Sequence, residues 1–166
     1  MDKYKNLFLI FIFLCFLIFV GFKIAYLDKV FFLCPIKYNK EIIIRNDVRG
    51  NGNFGVSRNG NRKHKGIDFG AGLDTEVAAA RSGEVIETGF HKGLGIYVQI
   101  QHDNMLTTIY GHLNRAFVSQ GQLVRQGQLI GLVGKTGNAG HPKILPHLHF
   151  EVWERGNPVD PMGFLE

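Results

Sequence analysis

Glycine decides what most of this chain can become. Twenty of its 21 glycines follow Asn46, and they are spaced so that no window of a dozen residues holds a helical period without interruption. A glycine inside a helix costs about 1 kcal/mol relative to alanine, whereas in turns between strands it is at home. The runs between the glycines are short and rich in β-branched and aromatic residues: GIDFGA, GEVIETG, GIYVQIQH, MLTTIYGHL, GQLIGLVG and HLHFEVW. Ile96-Tyr97-Val98-Gln99-Ile100 alternates only in part, yet its content still favours strand. His102-Asp103-Asn104-Met105, between two runs, reads as a hairpin turn. Six or more such runs in about 120 residues predict a compact antiparallel all-β domain over residues 46–166. Its first part, Asn46 to Lys65, is rich in Gly, Asn and Arg and reads as loop.

The other end of the chain is different in kind. Leu7–Phe22 carries no charged or strongly polar side chain, and continuing past Lys23 to Leu27 gives 21 residues. At about 1.5 Å per residue that reaches roughly the 30 Å of a bilayer core. Lys23 can keep its ammonium at the headgroups while its methylenes stay apolar. Lys3 and Lys5 would also suit a cleavable signal peptide, but no small-x-small site follows the run, and neither Cys15 nor Cys34 has a lipoprotein-type context. The expectation is one uncleaved N-terminal transmembrane helix within residues 1–29, a juxtamembrane segment at 30–45 that forms a strand or a packing arm, and a globular domain on the extracytoplasmic side of the cell membrane.

Composition narrows the classes further. A chain of 166 residues that is 45% hydrophobic and 20% charged has room for one ordinary globular domain and is neither collagen-like nor disordered. From Val30 onward 15 Lys and Arg stand against 12 Asp and Glu, a net of +3 that is too mild to argue for nucleic acid. Arg58, Arg62, Lys63 and Lys65 gather within eight positions, either as a solvated loop or as a basic rim facing an anionic polymer. The two cysteines lie in or beside the apolar run, so the domain has neither a disulfide framework nor a thiolate metal cluster.

Three motif matches fail on context. Gly50-x-Gly52-x-x-Gly55 precedes VSRNGNRKH, which cannot open a helix; Gly134-Lys135-Thr136 lacks the earlier P-loop glycine, its place taken by Leu129; and HExxH is absent. The histidines are more informative. In HLHFEVW a period of two puts His147, His149 and Glu151 on one face and Leu148, Phe150 and Val152 on the other. His64 and Asp68 lie four apart around Gly66, which permits a bend that directs both side chains to one point. With His149 they make two imidazoles and a carboxylate, the ligand set of a catalytic zinc with a fourth position for water. Tyr110 and His112 end another run and are expected on one face; His112 reads either as a hydrogen-bonded edge histidine or, with His147, as a histidine near the metal but not bound to it, placed to handle protons. His91, His102 and His141 fall in expected loops and read as solvated.

Taken in order, Arg62-x-His64-x-Gly66-Ile67-Asp68, Tyr110-x-His112-Leu113, Gly121-Gln122-Leu123-Val124-x-x-Gly127-Gln128-x-Ile130-Gly131 and Pro146-His147-Leu148-His149-Phe150-Glu151 resemble the lysostaphin/LytM-type peptidoglycan endopeptidases, secreted zinc metallopeptidases. The resemblance covers roughly residues 46–160. It implies that His64, Asp68 and His149 hold zinc, that His112 and His147 are catalytic, and that an antiparallel sheet floors a groove walled by loops. It also implies a substrate, the peptide stems or cross-bridges of the bacterial wall. One departure is visible: His141-Pro142-Lys143-Ile144-Leu145 lengthens the loop before Pro146, and His141 is assigned to that insertion.

Zinc supplies a water nucleophile at neutral pH and polarises the scissile carbonyl. One of His112 and His147 would take the water's proton while the other stabilises the oxyanion or protonates the leaving amine, work typically worth 10²–10⁴-fold; the sequence leaves open which does which. Two other classes compete. A non-catalytic wall-bound scaffold or activator would be expected to lack ligands, and none is missing. GQLVRQGQLIG also resembles the repeats of biotinyl/lipoyl-like carriers, but the exposed Met-Lys hairpin of that class is absent.

Overall fold

The glycine-bounded runs pair with one another through antiparallel ladders. The computed structural model describes residues 7–16, 32–58, 61–102 and 105–165. Its strands are β1 (Asn46–Asp47), β2 (Gly50–Asn51), β3 (Ile67–Gly70), β4 (Glu76–Ala78), β5 (Gly83–His91), β6 (Gly95–Gln101), β7 (Leu106–Ala116), β8 (Leu123–Val124), β9 (Leu129–Val133), β10 (His147–Glu154) and β11 (Asn157–Val159). β1 and β2 form a small hairpin of their own. The other nine belong to one sheet with the order β11-β10-β7-β6-β5-β8; β3 pairs with β10, and β9 pairs with β7 and β4. The all-β antiparallel expectation therefore holds. The turn expected at 102–105 has Asp103 and Asn104 outside the described residues, but the His102 N–H donates to Leu106 O at 3.0 Å, as a hairpin closing β6 onto β7 requires.

β10 is the strand that organises the site. Along one edge it pairs first with β3 and then with β11, and along the other with β7, so its residues are covered from both sides. Leu148, Phe150 and Val152 are fully buried in the core, where the Phe150 ring meets Phe69 and Tyr110 at centroid distances of 5.9 and 5.2 Å. The opposite face presents His147, His149 and Glu151, as the period of two predicts.

Residues 32–45 are packed into the domain. Phe32 and Ile36 are core residues, the Ala78 N–H donates to Pro35 O, and Arg45 N–H donates to Asp68 O alongside β3. Phe32 also bridges to Leu165 near the other end of the domain. His102 corrects an expectation: it is half-buried, its two ring nitrogens lie 2.9 Å from Ser82 O and 2.7 Å from Thr108 Oγ, and its ring meets Phe32 edge-on. The arm at residue 32 is what covers it.

Of the apolar run Leu7–Leu27, residues 7–16 are helical with every side chain exposed, and the rest lies outside the described residues. Among the described residues no helix is long and apolar enough to cross a membrane.

Candidate metal centre

Three local features bring the site together. The first is Gly66. It sits beneath β10 so closely that a Cβ there would lie 2.2 Å from Phe150 O, so its role is close approach. That approach lets the chain from His64 turn directly into β3, where Asp68 pairs with His149. The second is the β10 register, which places His149 between Asp68 on β3 and Gly111 on β7. The third is a break in the β6–β7 pairing next to His112, which itself has φ +60°. The break overturns the expectation that Tyr110 and His112 share a face. Tyr110 is fully buried in the core with its hydroxyl accepting from Ala80 N–H, while Ile109 and His112 line the groove. A left-handed residue reverses strand alternation.

The result is a close triangle of donors. His64 Nε2 lies 3.0 Å from Asp68 Oδ1 and 3.1 Å from His149 Nδ1, and His149 Nδ1 lies 2.8 Å from Asp68 Oδ1. Ligand atoms around a tetrahedral zinc with bonds of about 2.0–2.1 Å are about 3.3 Å apart, so two imidazoles and one carboxylate at these spacings fit that ion. Each donor is oriented from behind. His64 Nδ1 meets Asn53 O at 2.8 Å; Asp68 Oδ2 accepts from Arg45 Nη2 at 2.9 Å and Arg58 Nη2 at 2.8 Å; His149 Nε2 meets Glu151 Oε1 at 2.8 Å, and Glu151 in turn accepts from the Trp153 indole N–H. Supports of this kind fix ring orientation and ligand basicity.

His112 and His147 stand beside the triangle, their ring centroids 4.9 Å apart and that of His112 5.6 Å from His149. His112 Nδ1 meets Thr136 O at 2.9 Å and His147 Nδ1 meets Leu145 O at 2.7 Å. A carbonyl only accepts, so each Nδ1 carries the hydrogen and each Nε2 keeps its lone pair. Burial, with positive neighbours adding to it, lowers His112 to about 3, and burial likewise lowers His147 to about 4. Both are neutral at pH 7. His149 behaves oppositely: burial alone would lower it, but hydrogen bonds to Asp68 and Glu151 outweigh that and raise it to about 9. Burial pushes Asp68 up, and the hydrogen bonds from His149 and His64 overcome this and hold it well below the usual carboxylate range.

The triangle lies in a groove of about 1070 Å³ whose lining includes the basic residues Arg49, Arg58, Arg62, Lys63 and Lys65 together with His91, Leu94, Asn138 and Ile144. That lies at the upper end of the roughly 300–1,000 Å³ typical of small-ligand pockets. His91 is exposed at the groove, and His141 is exposed on the 141–145 loop, away from the triangle. Sequence reasoning brought together all five site histidines and acids. It missed Arg45 and the support that Glu151 gives; the placing of Glu151 on the face of His149 was the available signal, whereas Arg45 left none.

Fold and site together describe a class: antiparallel β domains in which two histidines and one carboxylate converge at spacings that could hold a metal ion. The chain belongs to peptidase family M23, which matches residues 62–161. It is 43% identical over 99 residues to the peptidoglycan DD-endopeptidase ShyA of Vibrio cholerae, covering 60% of this chain and 22% of that protein. It is 37% identical over 112 residues to the murein hydrolase activator EnvC of Escherichia coli, covering 68% of this chain and 26% of that one. Its fold matches the crystal structure of a zinc-containing peptidase from Vibrio cholerae with a TM-score of 0.67 and 33% identity, over 81% of this chain and 40% of the other. The chain thus spans about a quarter of the length of these curated relatives.

Proposed function

We propose that this chain is a membrane-anchored zinc metalloendopeptidase that hydrolyses peptide bonds in the stems or cross-bridges of bacterial peptidoglycan, with its domain on the extracytoplasmic side. The observation that carries the reading is the convergence of His64 Nε2, Asp68 Oδ1 and His149 Nδ1 in the groove floor, with two neutral buried histidines beside them. Zinc held there by His64, Asp68 and His149 would supply a water nucleophile at neutral pH and polarise the scissile carbonyl.

The chain's own groups do the rest. The basic wall draws an anionic wall peptide into the groove and lays its backbone across the sheet floor. His112 and His147 each offer an unprotonated Nε2, so one accepts the proton of the attacking water as its oxygen bonds the carbonyl carbon. An imidazolium in so dry a place is a strong acid, and it passes that proton to the amine nitrogen as the C–N bond breaks. The similarity to EnvC favours a second reading, an activator of other hydrolases. The complete ligand triangle supports catalysis over it.

The test is incubation of purified peptidoglycan with the zinc-loaded chain, with muropeptide analysis of the products. New free amines at one kind of peptide bond, abolished by chelation and restored by zinc, are the expected result. An intact wall under all conditions would leave the activator reading.

A further inference from the structure

Two parts of the chain that lie away from the site's motif residues meet at one side chain. Residues 45–47 precede the stretch matched to the family, and 141–145 is the loop that leads into β10. Between them stands Asp47, whose side chain is 6% exposed. Its Oδ2 accepts from the Leu145 N–H at 3.0 Å and lies 2.7 Å from Arg45 Nη1, an ion contact off the hydrogen-bond direction; Oδ1 accepts from the Arg49 N–H at 2.8 Å. Each neighbour then reaches the site. Leu145 presents its carbonyl to His147 Nδ1 at 2.7 Å, and Arg45 donates through Nη2 to Asp68 Oδ2 at 2.9 Å. The circuit closes where Asp68 Oδ1 comes within 3.9 Å of His147 Nε2.

From this circuit, and resting on the function proposed above, we propose that Asp47 is a positioning residue: it fixes the Leu145 carbonyl so that His147 keeps its hydrogen on Nδ1 and its lone pair on Nε2. The physical need is plain. Loop 141–145 is mostly exposed and its own hydrogen bonds run from Lys143 and Ile144 to His141, so Asp47 is what holds Leu145, whose carbonyl selects the His147 tautomer. A carboxylate gripping the N–H of that same residue pins the peptide from the other side, and Arg45 pins the carboxylate. His112 has no such dependence, because its acceptor, Thr136 O, belongs to a residue whose own hydroxyl is bound to Leu113 O and to the Ile96 N–H.

The experiment compares the full zinc-loaded chain with Asp47→Ala and Asp47→Glu, reading zinc content, thermal midpoint, kcat and KM on wall peptide, and the imidazole nitrogen shifts of His147 and His112. His147→Ala assigns the signals. Asp47→Ala should keep one zinc per chain and its KM, lose about ten- to hundredfold in kcat as outer supports of such sites do, and move the His147 nitrogens toward a mixture of tautomers while leaving those of His112 in place. Asp47→Glu should recover part of both. Should Asp47→Ala not fold, Asp47→Leu, which has no acceptor and a similar size, gives the same nitrogen readout. Unchanged His147 shifts in the folded variant would overturn the proposal, whatever happens to kcat. If the wild-type chain proves inactive on every wall peptide, the proposed function fails, and the nitrogen shifts still judge Asp47.

Discussion

Glu151 does the least visible work among the site residues: it is not one of the three donors of the triangle, yet it holds the far nitrogen of His149. Glu151→Gln should lower zinc affinity about 10–100-fold while the sheet stays folded, measured by competition with a chelating dye; unchanged affinity would mean that β10 alone orients the ring. The same pair of carboxylates sets a pH dependence. In the metal-free chain His149 titrates near 9 instead of 6.5, so the folded state holds a proton that the unfolded chain gives up. That stabilisation is complete below about pH 6.5 and is lost as pH rises through about 9, a span worth about 3 kcal/mol at most. Zinc needs the Nδ1 lone pair, so the ion must displace that proton. Zinc affinity should therefore rise about tenfold per pH unit from about pH 7 to about pH 9, and the thermal midpoint of the metal-free chain should fall over the range in which the loaded chain does not. A flat affinity across that range would place the proton elsewhere. His64, Asp68, His112, His147 and His149 were legible because histidine and carboxylate are scarce and chemically pointed. Arg45 was not, since an arginine reads the same on paper whether it meets solvent or, as here, the back of a buried carboxylate 23 positions away.

At the scale of elements, the strands were legible where short runs rich in β-branched and aromatic residues lay next to glycines, which covers β3, β5, β6, β7, β9 and β10. β1, β2, β4, β8 and β11 have two or three residues each and gain their pairing from neighbours already in place, so no local pattern announces them. The face assignment in β10 followed from simple alternation. That in β7 failed at His112, because a left-handed residue beside a break in pairing leaves no trace in composition. Gly66 is the element-scale test. Gly66→Ala puts a methyl carbon against Phe150 O and forces β3 away from β10. It should cost stability at the severe end for a single substitution, more than about 4 kcal/mol, and zinc should go with it. A thermal midpoint near that of the wild type would show that the two strands tolerate separation.

At the scale of the whole molecule, the packed unit begins earlier than the site motifs suggest, because Phe32 and Ile36 fill the core and Arg45 and Asp47 reach the site. A groove lined by six basic side chains, Arg45, Arg49, Arg58, Arg62, Lys63 and Lys65, favours anions, and under the proposed function the apolar run Leu7–Leu27 would hold the domain at the membrane. If the run is an uncleaved anchor, the intact mass of membrane-extracted protein should include it; a mature terminus near Ala25 or beyond would remove the anchor from the account. The central claim is the division of four histidines into two roles, and one series tests it: alanine at His64, His149, His112 and His147, with bound zinc and hydrolysis of wall peptide measured on the same samples. His64→Ala and His149→Ala should lose zinc and activity together, since each removes one of three donors. His112→Ala and His147→Ala should keep near-stoichiometric zinc and lose roughly 10²–10⁴-fold in rate. Zinc lost from His112→Ala, or hydrolysis at the wild-type rate by that variant, would contradict the account.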